Sequence, residues 1–177
     1  ADTLTLAGNI GSTGTLLLQP LTNTATMGLG GGAGTFNLGD SELALLDDGF
    51  SSITIGRSDS SGTMTVDSSA FTDPVTLRTP GGLLDITGNI TGSGDASITL
   101  DANTTIQLSA DVTTAGTTVT FNDNVVIDEA VSISTSNGDV SFLGTVDATA
   151  DTNAESLAVN TGIAGDLSFT GSVGNSQ

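Results

Sequence analysis

A short alternating phrase recurs along this chain: an apolar residue, a polar one, an apolar one, then a turn. It reads Leu4-Thr5-Leu6, Ile53-Thr54-Ile55, Met64-Thr65-Val66, Val75-Thr76-Leu77, Leu84-Asp85-Ile86, Ile98-Thr99-Leu100, Val119-Thr120-Phe121, Val131-Ser132-Ile133, Val140-Ser141-Phe142 and Leu167-Ser168-Phe169. Alternation over three to five residues predicts a strand with one buried face and one wet face. Many such strands at near-regular spacing, without a helical period between them, predict an array of stacked layers.

The register between copies is readable. Ile98-Thr99-Leu100, with Asn103 and Ile106 behind it, is matched 21 residues on by Val119-Thr120-Phe121 with Asn124 and Ile127. A further 21 residues reach Val140-Ser141-Phe142, and 27 more reach Leu167-Ser168-Phe169, where Gly165-Asp166 repeats Gly138-Asp139. Gly8-Asn9-Ile10 returns as Gly88-Asn89-Ile90. Such steps are too long for a hairpin and suit one turn of a coiled ribbon, each strand lying over its predecessor. The expectation is one all-β domain over residues 1–177, a parallel β-solenoid of about seven or eight coils. Leu100, Phe121, Phe142 and Phe169 then form one interior row, and Asn103 stacks on Asn124 in an amide ladder.

The first third is less regular. Asp40-Ser41-Glu42-Leu43-Ala44-Leu45-Leu46-Asp47 offers Asp40 or Ser41 as an N-cap, acids in the first turn and Gly49 as a stop, which predicts a short helix near residues 40–47 on the flank or end of the stack. Gly28-Leu29-Gly30-Gly31-Gly32-Ala33-Gly34 reads as the most flexible stretch of the chain. Residues 1–38 are expected to be Gly-rich and irregular, and 50–177 to form regular coils.

Composition supports a solenoid. There are 24 Gly to turn corners, and Phe is the only aromatic, at 3% of the chain; that is too little to fill a conventional sandwich but enough for a narrow interior of stacked aliphatics. The residues Phe36-Asn37-Leu38, Ser41-Glu42-Leu43, the run Gly49 to Arg57, Phe71-Thr72-Asp73-Pro74-Val75-Thr76-Leu77 and Gly144-Thr145-Val146-Asp147-Ala148 resemble phrases of the filamentous-haemagglutinin-like β-strand-repeat proteins, giant bacterial surface proteins. The resemblance covers most of the chain from about Phe36 onward. It implies a right-handed β-helix, secretion and a role as adhesin, sheath or matrix filament, and it carries over no catalytic residue.

Charge narrows the partners. Twenty carboxylates against Arg57 and Arg78 give a net charge of -18. Nucleic acid, which demands a basic patch, is excluded, and an anionic membrane surface is disfavoured. No run of 18 apolar residues exists to insert in a membrane. Acidity keeps a β-rich rod soluble. It also offers hard oxygens to calcium at stacked corners: Asn122, Asp123, Asn124 and Asp128, the run Asn137-Gly138-Asp139, and Asp147 with Asp151. From these, Asp123, Asp128, Asp139 and Asp147 are the candidate calcium ligands, although neither an EF-hand loop nor the Gly-Gly-x-Gly-x-Asp repeat is present. Arg57 and Arg78 are expected to bridge to acids such as Asp59 or Asp85. Asp47-Asp48 reads as a solvated turn.

The chain contains no His, Lys, Cys, Tyr or Trp, so the usual bases, nucleophiles and sugar platforms are missing, and no catalytic residue or cofactor is expected. The expected role is a structural or adhesive segment of a bacterial surface fibre, outside the cell or on its surface. Its partners are copies of itself or neighbouring repeats end to end, with cell-surface glycans or matrix as further ones. Both ends fall inside the repeat pattern, as expected for part of a longer chain or a polymerising subunit. Three alternatives remain: a calcium-stabilised matrix or sheath component, a polysaccharide-active β-helix enzyme, and an ice-binding face built on Thr3-Leu4-Thr5, Thr63-Met64-Thr65 and Thr118-Val119-Thr120.

Overall fold

A computed structural model of the protein describes residues 3–149 and 155–174. Nineteen strands among these residues form three parallel sheets running along one axis. The first sheet stacks β1 (Thr15–Leu18), β4 (Ser52–Ile55), β7 (Val75–Arg78), β10 (Ile98–Asp101), β13 (Val119–Phe121), β16 (Val140–Phe142) and β19 (Leu167–Phe169), in that order. The second runs β3 (Phe36–Leu38), β2 (Met27–Leu29), β5 (Met64–Val66), β8 (Leu83–Ile86), β11 (Thr105–Leu108), β14 (Val125–Ile127) and β17 (Val146–Ala148). The third has five strands: β6 (Ser69–Phe71), β9 (Ile90–Gly92), β12 (Val112–Thr113), β15 (Ala130–Ser134) and β18 (Ser156–Asn160). Each complete coil contributes one strand to each sheet, the stacked architecture the alternating phrases predict.

Register in the first sheet follows the predicted steps. Ile98 pairs with Val119, Val119 with Val140 and Val140 with Leu167. Apolar residues point inward because the side-chain period of a strand is two, so Ile53, Val75, Ile98, Val119 and Val140 make one buried file and Ile55, Leu77, Leu100, Phe121 and Phe142 another. The rings of Phe121 and Phe142 stack with centroids 4.6 Å apart, and Phe169 continues the row 4.9 Å beyond Phe142. Phe169 is 40% exposed, unlike the other three members of the row.

Four expectations are corrected. The stack has five complete three-strand coils, not seven or eight, with partial coils on either side. The first turn is long, since Thr15 pairs with Ser52, and this leaves fewer residues for further turns. The Asn103–Asn124 ladder does not form: Ile106 lies opposite Val125 and Leu108 opposite Ile127, so the second sheet is offset by 19 residues where the first is offset by 21. The corner at Asn103, whose φ of 54° is left-handed, accommodates the two extra residues. A slip of two keeps every inward residue inward, whereas a slip of one would turn the face out. By Val112, opposite Ile133, the offset is 21 again.

The helix is a single turn, α1 (Asp40–Leu43). Glu42 accepts a hydrogen bond from the Gly39 N–H and another from the Leu6 N–H. The helix stops early because the next backbone groups join a β-bridge: the Ile10 N–H donates to Leu45 and the Asp47 N–H donates to Ile10. α1 lies against β6, at the end of the third sheet, as expected of a cover for the stack. Finally, the Gly-rich stretch is packed tightly, not loosely. β2 and β3 are parallel and joined by only six residues, Gly30 to Thr35. That return is possible because backbone lies directly on backbone: a Cβ on Gly28 would sit 2.0 Å from the Gly32 carbonyl oxygen, and one on Gly34 would sit 2.3 Å from the Gly28 nitrogen.

Candidate functional site

The acids and amides named from the sequence mostly tie one coil to the next. Asp123 accepts from the Ala102 N–H (2.8 Å), Asp128 from the Gln107 amide (2.9 Å) and Asp139 from the Asp166 N–H (2.9 Å). Asn124 accepts from the Thr145 N–H and Asn137 from the Ile163 N–H, each at 3.0 Å. The Asn122 N–H donates to the Leu100 carbonyl of the coil before. Asp147 lies opposite Val126 in the second sheet, and Asp151 lies outside the described residues. Asp123, Asn124, Asn137 and Asp139 thereby satisfy backbone N–H groups at the corners that the sheet ladders leave open. They are distributed around the coil, and the four candidate ligands do not gather into one group of three carboxylates.

Two acid pairs do meet on the outer surface. Asp101 is half-buried beside Asp123; burial first, and then the Asp123 charge, raise its pKa, while Arg78 opposes the rise. Arg78 lies opposite Asp101 in register and donates to the Gly56 carbonyl, so its acidic neighbour is Asp101 and not Asp85. Asp85, also half-buried, is raised by burial and then by the Asp128 charge. Arg57 forms the expected bridge with Asp59 at 2.8 Å and lowers that carboxyl's pKa, chiefly through the hydrogen bond.

A third group is absent from the sequence reading. Asp48, Asp73 and Asp95 bring one carboxylate oxygen each to within 4.8 Å of one another. They occupy one corner in three successive coils, just before β4, β7 and β10. Asp48 and Asp95 are exposed, whereas Asp73 is 1% exposed. The Gly49 N–H donates to Asp73 Oδ1 at 2.8 Å, and Asp73 Oδ2 is buried without a hydrogen-bond partner. Nothing local signals this triad, because the members are 25 and 22 residues apart and share no flanking phrase.

The outer face of the first sheet carries a file of hydroxyls: Thr54, Thr76, Thr99, Thr120, Ser141 and Ser168 pair in sequence. The Thr63 to Thr65 and Thr118 to Thr120 motifs fall on different sheets, since β5 belongs to the second and β13 to the first, so they do not build one two-file Thr rank. A surface groove of about 600 Å³ runs between α1 and the end of the third sheet, lined by residues including Leu43, Ala44, Ser69, Phe71 and Thr91. It is the shoulder left where one helical turn replaces a strand. No helix among the described residues is long and apolar enough to cross a membrane. Comparison with protein-family models, with curated proteins and with solved structures returned no match to this chain.

Proposed function

We propose that this chain is a non-catalytic structural segment of an extracellular bacterial fibre or giant surface adhesin, with the solenoid axis as its direction of assembly. The observation that carries the reading is the axial stack itself, in which one coil lies on the next in register from Ile98 through Val119 and Val140 to Leu167. Leu167 is 43% exposed and Phe169 40%, although the equivalent residues one and two coils earlier are fully buried. Burial at these positions thus comes from the coil laid over them. Each added coil gains a rank of hydrogen bonds and apolar contacts, whereas lateral association brings together surfaces of a chain carrying a net charge of -18. The resemblance to filamentous-haemagglutinin-like repeats supports the same role. The partners on this reading are copies or neighbouring repeats end to end, and cell-surface glycans or matrix.

Electron microscopy of the native material tests it. Thin rods are expected, and Phe169→Asp with Leu167→Asp should shorten or abolish them while leaving the circular dichroism of the chain unchanged. A compact monomer that turns over a polysaccharide would overturn the reading.

A further inference from the structure

We infer that Asp48, Asp73 and Asp95 form a binding site for one divalent cation of the calcium class, which fastens the N-terminal segment to the first two regular coils. The three carboxylates converge from one corner of three consecutive turns, and no two of the ligand oxygens are more than 4.8 Å apart. Stacking thus accumulates negative charge in a column, and one member of that column is inside the protein. Asp73 has a single donor, the Gly49 N–H, for a carboxylate that is 1% exposed, and its Oδ2 faces no donor at all. Buried carboxylates are ordinarily matched by a cation or by several N–H groups, since an unpaired buried charge is costly. The chain has little to offer here: it contains no Lys or His and two Arg. Arg57 binds Asp59 and the Pro20 and Leu21 carbonyls, and Arg78 binds the Gly56 carbonyl opposite Asp101. The compensating charge is therefore expected from solution.

The donor set selects the ion. Three carboxylates with no nitrogen or sulfur suit a hard cation and not zinc. Oxygens on opposite sides of calcium lie ~4.6–5.2 Å apart, so three oxygens that all lie within 4.8 Å of one another can share one such ion; magnesium, which demands a near-ideal octahedron and dehydrates reluctantly, is the poorer match for carboxylates supplied by three separate corners. Exposed Asp48 and Asp95 leave one side open to the waters that complete calcium's coordination. The column ends at Asp95, because the corner before β13 carries Ala115-Gly116-Thr117-Thr118 and no acid, so one ion is expected at this column. This inference concerns the isolated chain and is independent of the fibre reading.

Titration of the full chain, stripped with EDTA, with calcium chloride in a calorimeter tests it, alongside thermal melts. One calcium ion should bind per chain, magnesium should bind more weakly, and the melting temperature should rise by roughly 5–10 °C at a calcium concentration a hundredfold above Kd. Asp73→Asn should abolish binding. The exposed substitutions Asp48→Asn and Asp95→Asn should weaken it without unfolding the chain, which keeps the test decisive if Asp73→Asn does not fold. Asp139→Asn, at a corner that only stitches backbone, should leave stoichiometry and affinity unchanged. No binding at millimolar calcium, or binding that survives Asp48→Asn with Asp95→Asn, would overturn the site.

Discussion

The two ends of the stack are built differently. At the N-terminal side the second sheet is extended by the close-packed β2–β3 return, the third sheet is covered by α1, and Leu4, Leu6 and Ile10 pack against the core. At the C-terminal side Leu167, Phe169 and Val173 are exposed, and β18 is at most partly buried. The same phrase therefore has two fates: Val140-Ser141-Phe142 has both apolar members at 0% exposure, and Leu167-Ser168-Phe169, its direct neighbour in register, has neither buried. Burial in a solenoid is conferred by the next coil and not by the residue's own sequence.

Truncating the Phe row should show this contrast most strongly. Phe121 lies between coils and Phe142 stacks on it at 4.6 Å, so Phe121→Ala should destabilise by about 3–5 kcal/mol in chemical denaturation. Phe169→Ala, at the uncovered face, should cost only roughly 1–2 kcal/mol, in keeping with partial burial. Equal losses would mean that Phe169 is already covered and that the ends do not differ as described.

The N-terminal side makes its own claim, that its glycines are there for close approach. Gly28→Ala would place a methyl group 2.0 Å from both the Asn37 side chain and the Gly32 carbonyl, and it should cost about 1–3 kcal/mol or more as overpacking. Gly8→Ala, with nothing within 4 Å of the added Cβ, should change stability by no more than ~0.5 kcal/mol. A harmless Gly28→Ala would return the stretch to the loose loop that its composition suggests.

Much of the first sheet is legible in the sequence because its steps are constant where the phrases are longest; Ile98, Val119 and Val140 give fold, direction and register together. The Asn103–Asn124 pairing is misread for a definite reason. A corner with two extra residues is invisible to apolar alternation, since a two-residue slip preserves which face is buried. The Gly-rich stretch is misread because flexibility in an isolated chain and close backbone approach in a fold call for the same residue. The Asp48–Asp73–Asp95 triad is hidden because its members are neighbours only through stacking, and the corners that place them differ in length from coil to coil.

A smaller effect separates the acidic surface of the coils from the core beneath it. The pKa values of Asp85 and Asp101 are raised in the folded chain by burial and by their acidic neighbours. A raised carboxyl binds protons more tightly when folded than unfolded, so its stabilising contribution is present below the unfolded value of about 3.9 and is lost as pH rises through the folded value. Stability should therefore increase on mild acidification from neutral pH toward that window. Asp85→Asn should flatten the slope and raise the neutral-pH melting temperature slightly. Asp59 works in the opposite direction, being lowered by Arg57, but it is exposed and screened. A stability that falls steadily between pH 7 and 5 would show that the paired acids are not strained.

The central claim, which rests on the proposed function, is that coils add along the solenoid axis. X-ray fibre diffraction from aligned native filaments tests it most directly. With strands lying across the axis, the account predicts a sharp reflection near ~4.8 Å along the filament direction. Filaments whose ~4.8 Å reflection lies perpendicular to their length would mean that the solenoids associate side by side, and the claim would be contradicted.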